Sequence, residues 1–296
     1  LLISAAETDA DLVAMVDRRA AGLPLEHVLG WAELCGLRVA VDPGVFRPRR
    51  RTEYLVRQAA ALARQTVRGA DQSVAPRAVV VDLCCGSGAV GAALAAALER
   101  VELHSADIEP AAVRCARRNV AAAGGQAYEG DLYEPLPATL RGHVDILVAN
   151  APYVPSEAIG LLPPEARIHE PQVALDGGAD GLDVLRRVSA KAPLWLTPGD
   201  HMLVETSESQ AAQTVETVAR DGLIPRVAHS DALEATVVIG TRPTLRSAPH
   251  TPAARRALWW AASSRRSSSG ASSIPRASSI RWSASQAFLG SSGPWR

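Results

Sequence analysis

Short apolar runs that end in a polar side chain alternate, through the middle of this chain, with longer stretches whose apolar positions recur every three or four residues. The runs read as buried strands and the stretches as amphipathic helices. RAVVVDL (77–83), VELHSAD (101–107), VDILVAN (144–150) and HMLVET (201–206) fit the strand pattern. A short strand ends at Asp131, and two more lie near Arg226 and over Ala235–Gly240. Helices are expected over Thr52–Arg68, Ala89–Leu98, from Pro110 to about Ala123, near Gly181–Ala190 and over Glu208–Asp221. Ahead of them a helical stretch around Asp11–Ala20 leads to a hairpin, ELCGLRVAVDPG, turning near Gly36. Strand and helix in regular succession imply an α/β fold, a mainly parallel sheet covered by helices on both faces.

The polar residues that close the strands carry the chemistry. Asp82, Asp107, Asp131 and Asn150 stand at the ends of successive strands. Any one could cap a helix or start a turn, but four in series point to a ligand cleft along the carboxyl edge of the sheet. Gly86-x-Gly88-x-x-Gly91 follows the first of these strands and opens a helix. Taken literally it is a dinucleotide fingerprint with Asp107 as ribose ligand, which would make the chain a nicotinamide-dependent oxidoreductase. Asp82 argues otherwise, because a carboxylate at the mouth of the loop repels a diphosphate and attracts the ammonium or sulfonium of S-adenosylmethionine. Asp107 suits two ribose hydroxyls, since a carboxylate accepts two hydrogen bonds there. In ILVANAPYVP, Pro152 and Pro155 forbid the strand from continuing. They hold Asn150 and Tyr153 on a stiff loop just beyond it.

These residues carry a resemblance. DLCCGSG resembles the first motif of class I S-adenosylmethionine-dependent methyltransferases, and Asn150-Ala151-Pro152-Tyr153 resembles their Asn-Pro-Pro-Tyr signature for methylating amino groups. LPLEHVLGWAELCGLRVAVDPGVFRPRRRTEYLV, with Pro48, Arg49, Arg50, Arg51, Thr52 and Glu53, and HEPQVALDGGADGLDVLRRV look like stretches of the HemK/PrmC family of protein-(glutamine-N5) methyltransferases. The likeness runs from about Asp11 to Pro243 and marks a divergent Asn-Ala-Pro-Tyr subgroup. It implies a Rossmann-like, doubly wound, seven-stranded sheet with a short N-terminal helix and β-hairpin. It implies methyl transfer from S-adenosylmethionine to a glutamine amide nitrogen, in the Gly-Gly-Gln loop of a peptide-chain release factor. The cofactor would meet Asp82, Cys84, Gly86, Gly88, Asp107, Ile108, Asp131, Leu132 and Asn150. The acceptor would meet Asn150, Ala151, Pro152 and Tyr153, with the Asn150 side-chain oxygen and the carbonyl of residue 151 taking the amide hydrogens. Arg49, Thr52 and Glu53 are weaker candidates for the cleft, with a helix start capped by Thr52 as the alternative. His169 and Glu170 read as structural, and Trp31 and Trp195 as core.

Several positions depart from the family pattern. Cys84 replaces the first glycine of the loop, so the turn there is expected to avoid positive φ. Arg50 and Arg51 replace a proline and a variable position that is acidic or another residue, ETSESQ differs after the fifth strand, and most of the family's N-terminal helical bundle is missing.

Composition narrows the rest. The 296 residues are 47% hydrophobic, with no run long enough for a membrane helix. The start, LLISAAETDADL, lacks a basic n-region and a cleavage-type site, so it is not a secretory signal, and it lacks an initiator Met, which suggests a start inside a longer protein. Four cysteines (Cys35, Cys84, Cys85 and Cys115) without CxxC or framework spacing suit a reducing compartment, and the cytoplasm is expected. Seven scattered histidines give no metal-ligand pattern. Eight arginines and no Asp or Glu lie from Thr244 onward, so the first 243 residues carry a formal charge of −8. So acidic a body is poorly made for gripping phosphates. That weighs against the main enzymatic rival, a DNA or RNA adenine-N6 methyltransferase, which would grip a similar planar NH₂. A non-catalytic cofactor-binding relative is a further alternative. The expected organisation is a truncated helical segment and hairpin over 1–51, a methyltransferase domain over 52–243, and a Ser/Arg-rich disordered tail over 244–296.

Overall fold

The computed structural model describes residues 1–68 and 77–244, and the expected tail beyond them lies outside the described residues. Three short helices come first, α1 (Leu2–Ala5), α2 (Asp9–Ala20) and α3 (Leu25–Leu29). α2 starts at Asp9 because Thr8 caps it, its hydroxyl accepting from the Asp11 N–H at 3.1 Å. β1 (Trp31–Leu34) and β2 (Leu37–Ala40) form the hairpin. Cys35 and Gly36, at φ 53° and 77°, make the tight two-residue turn that matches the twist of the strands.

The main sheet follows. α4 (Thr52–Arg68), β3 (Ala78–Leu83), α5 (Ala89–Ala97), β4 (Val101–Asp107), α6 (Pro110–Val120), β5 (Gln126–Glu129) and β6 (Val144–Ala149) lie close to their expected bounds. After β6 come α7 (Pro164–His169), α8 (Asp183–Trp195), β7 (Leu196–Thr206), α9 (Ala211–Arg220), β8 (Ile224–Ser230) and β9 (Ala235–Thr241). The strand order is β5-β4-β3-β6-β7-β9-β8, parallel except for β9, which runs antiparallel to both neighbours. The chain winds outward from β3 to β5, then crosses back to lay β6 on the other side of β3. That reversal opens a crevice at the carboxyl ends of β3 and β6. No described helix is long and apolar enough to cross a membrane.

Side-chain alternation along the strands builds two cores. Val80, Leu103, Ile146, Val148 and Leu203 face α4, α5 and the hairpin. Val81, Leu83, Leu147, Ala149 and Val204 face α8 and α9. Each fully buried Val, Leu or Ile contributes roughly 1.5–3 kcal/mol. Trp195 belongs to the second core, but Trp31 is half-buried on the hairpin with the Arg38 guanidinium 4.2 Å over its ring. α8 begins two residues later than expected because Gly181 sits at φ 78°, outside helical space.

One expectation about the glycine loop is overturned. Cys84 adopts φ 53° despite its side chain, and Leu132 adopts φ 51° after β5. A side chain in the left-handed region costs about 1–2 kcal/mol, and both residues lie at the carboxyl edge of the sheet. The turn keeps the conformation a glycine would favour and tolerates the cost. Cys84→Val, with its branched Cβ, is expected to lower unfolding free energy by about 1–2 kcal/mol. Cys84→Gly should leave it level or higher. Equal losses in chemical denaturation of the two variants would count against the backbone argument.

A second cost lies inside the sheet. Asp200, in β7, accepts a hydrogen bond from the Thr66 hydroxyl at 2.9 Å. Burial, reinforced by neighbouring Asp145, pushes its carboxyl up to about 6 although Thr66 acts in the opposite direction. A raised folded-state value means that its favourable contribution is complete below the unfolded value of 3.8 and is lost as pH rises through about 6. Asp200→Asn keeps an acceptor for Thr66 and removes the charge. Its stability relative to wild type should therefore improve by about 1 kcal/mol between pH 5 and pH 8. Melting curves at the two pH values check this, and a difference independent of pH would contradict it.

Candidate active site

The floor of the crevice is the turn leaving β3. The Cys85 N–H donates to the Ala106 carbonyl at 3.1 Å and the Gly88 N–H to the Cys85 carbonyl at 2.7 Å, curling the loop over the sheet edge. Asp107, closing β4, binds the same loop, its Oδ2 accepting from the Gly86 N–H at 2.8 Å and its Oδ1 from the Glu109 N–H at 2.9 Å. Each oxygen retains a second lone pair. Asp82 lies beneath the loop at 1% exposure, and its Oδ2 accepts from the Gly91 N–H at 2.9 Å. Gly91 suits that packing, since a Cβ there would stand 3.1 Å from the same carboxylate oxygen and from Leu103 Cδ1, a tight fit that would push them aside. Gly88 serves helix packing, because its Cβ would meet Ala116 of α6 at 2.9 Å. Asn119, on the same helix, donates to the carbonyls of Ser87 and Ala40 at 2.8 and 2.9 Å, tying loop, α6 and hairpin together.

Asp82, Cys84, Gly86, Asp107, Ile108, Asp131, Leu132, Asn150 and Pro152 all border one cleft. Gly88, Ala151 and Tyr153 do not line it. Burial pushes Asp82 up to about 7 against the opposing pull of the Gly91 N–H, and it raises Asp107 as well. Burial likewise drives the Cys84 and Cys85 thiols well up, so neither is poised as a nucleophile. Ile108 projects an exposed apolar side chain at the rim, opposite buried Leu132. Asp131 lies two residues past β5, paired with Arg187 of α8.

The opposite wall is the corner after β6. Asn150 is half-buried, and Ala151 and Pro152 are buried. The corner is held from behind by the Gly-Gly-x-Asp-Gly stretch. The Val154 N–H donates to the Leu175 carbonyl at 3.1 Å, and the Gly177 N–H to the Val154 carbonyl at 2.9 Å. Gln210 Nε2 donates to the carbonyls of Tyr153 and Asp180 at 2.9 and 3.0 Å. A Cβ on Gly177 would lie 2.7 Å from the Pro152 carbonyl, and one on Gly181 would overlap the Tyr153 carbonyl. Glycine is needed at both positions for backbone to approach backbone. Tyr153 turns its hydroxyl to Arg51, while burial and nearby Glu205 push the phenol up to about 12.

The third wall, Phe46, Pro48 and Thr52, comes from the segment leading into α4 and from that helix's first residue. Glu170 fixes it, accepting from Arg47 Nε at 2.9 Å and from Arg49 Nη2 at 2.6 Å while its own side chain is fully buried. Arg47 is also paired with Glu26 at 2.8 Å. A buried carboxylate shared by two guanidinium groups is an expensive arrangement to break, and it joins the segment before α4 to the one after the Asn150 corner. Thus Thr52 lines the cleft, Arg49 serves the clamp, and Glu53 turns away to pair with Arg57 at 2.8 Å. Phe46, Pro48 and Arg187 were not foreseen as cleft residues. All three lie within stretches quoted above for the family likeness, FRPRRRTE and HEPQVALDGGADGLDVLRRV, but nothing local singles out Arg187 from a solvated helix face.

Comparison with known proteins agrees with this geometry. Residues 69–176 match the methyltransferase small domain model. A release factor glutamine methyltransferase of Geobacter sulfurreducens is 36% identical over 230 residues, covering 77% of this chain and 76% of its own length. A 4-amino-L-phenylalanine/4-methylamino-L-phenylalanine methyltransferase of Streptomyces pristinaespiralis is 37% identical over 199 residues, 67% of this chain and 65% of that one. A methyltransferase structure from Pyrococcus furiosus, at 13% identity, superposes with a TM-score of 0.50 over 78% of this chain and 98% of its own, a likeness of fold. With a glycine turn and the Asn150–Pro152 corner bordering one cleft, and 36% identity over 230 residues to a curated relative, the chain belongs to the release factor glutamine methyltransferase family.

Proposed function

We propose that this protein transfers a methyl group from S-adenosylmethionine to the side-chain amide nitrogen of a glutamine in a peptide-chain release factor, in the cytoplasm. The observation that carries the reading is the shared cleft of the glycine turn and the Asn150 corner, which leave adjacent parallel strands. Family membership sets aside the nicotinamide reading of the glycine loop.

The residues present suit the donor. Asp82 and Asp107 offer carboxylates where an ammonium, a sulfonium and ribose hydroxyls would lie, and Ile108 and Leu132 offer apolar surface for a flat base. When bound, S-adenosylmethionine supplies an electrophilic methyl group on sulfur. The protein's part is to place the acceptor nitrogen in line and to stabilise the positive charge that develops on it. An amide nitrogen is a poor nucleophile because its lone pair is delocalised into the carbonyl. The Asn150 side-chain oxygen and the Ala151 carbonyl would accept its two hydrogens, drawing electron density onto the nitrogen and fixing its orientation. Pro152 holds the turn, and Tyr153 would flank the flat amide.

Asp82 gives the reaction a pH signature. Burial raises it to about 7, so it is largely neutral at pH 6, and a cationic ligand should draw it into the charged form. Affinity for S-adenosylmethionine is expected to rise between pH 5.5 and pH 8, by at most about tenfold per pH unit below the transition, with a proton released on binding near pH 6. Asp82→Asn keeps the acceptor for Gly91 and should flatten the profile. Calorimetry in buffers of different ionisation enthalpy measures the proton, and a pH-independent affinity in the wild type would refute the role of Asp82.

Transfer itself is tested with methyl-labelled S-adenosylmethionine and four acceptors: a release factor, the same factor with its Gly-Gly-Gln glutamine replaced by alanine, DNA, and 4-amino-L-phenylalanine. Label is expected on the intact factor alone. Asn150→Ala should lower that transfer by about 100-fold or more while changing cofactor affinity little. Label on DNA or on the free arylamine, with none on the factor, would overturn the assignment.

A further inference from the structure

A polar network behind the corner has no part in the reading above. Arg51 stands one residue ahead of α4. Its Nε donates to Glu205 Oε1 at 3.1 Å, its Nη2 donates to the Tyr153 hydroxyl, and its guanidinium carbon lies 5.6 Å from the Tyr153 ring centroid. Glu205 is the penultimate residue of β7, its side chain 2% exposed. Its other oxygen, Oε2, and the hydroxyl of Thr52 are buried and make no well-formed hydrogen bond, although Thr52 is near enough to favour the charged carboxyl. Ala149 pairs with Val204, so Asn150, just past the end of β6, comes level with Glu205 of β7.

Burying a carboxylate is costly, and the charge needs a nearby cation to be kept there. Arg51 meets that need and uses the rest of its planar fork on the tyrosine. Gln210 already holds the Tyr153 backbone carbonyl, so the residue is gripped at both ends, main chain and hydroxyl. A tyrosine held at both ends is restrained about its side-chain torsions.

We infer that Arg51 and Glu205 are positioning residues for the methyl acceptor, locking Tyr153 at the angle that keeps the target amide flat against Asn150. The inference rests on the glutamine-acceptor reading.

The test is a set of variants read in two ways. Arg51→Ala should lower kcat for the release factor by roughly 10- to 100-fold, as misplacement of a reacting group does, with cofactor Kd unchanged. Arg51→Lys, which keeps the charge without the fork, should recover part of the loss. In a Tyr153→Phe background, Arg51→Ala should cost nothing further. Equal losses in both backgrounds, or a parallel loss of cofactor affinity, would overturn the inference. The second readout needs no acceptor. The Tyr153 phenol, isolated by subtracting the absorbance titration of Tyr153→Phe, should ionise at lower pH in Glu205→Gln, because a neighbouring negative charge is gone. An unmoved phenol would refute the lock. A shifted phenol in a protein whose wild type methylates no glutamine would uphold the lock and refute the acceptor reading instead.

Discussion

Everything in this site follows from the parallel pairing of β3 with β6. The two strands are far apart in sequence, yet Leu83 lies opposite Ala149, so both end at the same level. Neighbouring strands are about 4.8 Å apart. The glycine turn after one and the Asn150 corner after the other must therefore emerge beside each other at one edge of the sheet. A donor site and an acceptor site placed this way need no domain closure to meet. The reversal of winding at this pair leaves room between the two turns, since the chain departs from them in opposite directions.

That juxtaposition is costly, and the costs are borne locally. Cys84 and Leu132 sit at positive φ, and Asp82, Glu170 and Glu205 are carboxylates taken almost wholly out of water. The compensations differ. Asp82 uses a helix N–H and burial that raises it toward neutrality. Glu170 uses two arginines, and Glu205 uses Arg51. Such costs tend to persist where the surrounding structure fixes them and function draws on them.

Legibility from the sequence tracks how local the determining physics is. The strands of the sheet were readable because burial on both faces makes apolar runs, and the ends of β4 and β6 because Asp107 and Asn150 interrupt them. The conformation of Cys84 was read wrongly because residue type at the turn was taken to decide φ, whereas the fixed path from β3 into α5 overrode it. Glu53 was misplaced because a helix start shows several faces within one turn, and its partner Arg57 lies on the solvent side. Arg187 and Glu205 were silent for a different reason. Their importance arises from contacts with Asp131 and Arg51, 56 and 154 residues away, which no local pattern encodes.

The alanine at position 151 shows how the site can tolerate change. What the acceptor would need from this residue is its carbonyl, and any amino acid provides one. A proline there would add rigidity in φ, and its absence has to be offset. Ala151 still precedes Pro152, which biases it toward extended backbone. Gly177 and Gly181 let the neighbouring segment press directly against the corner, and Gln210 ties down the Tyr153 carbonyl. The corner is thus held by contacts from three further segments of the chain: Arg51, the glycine stretch over 177–181, and Gln210.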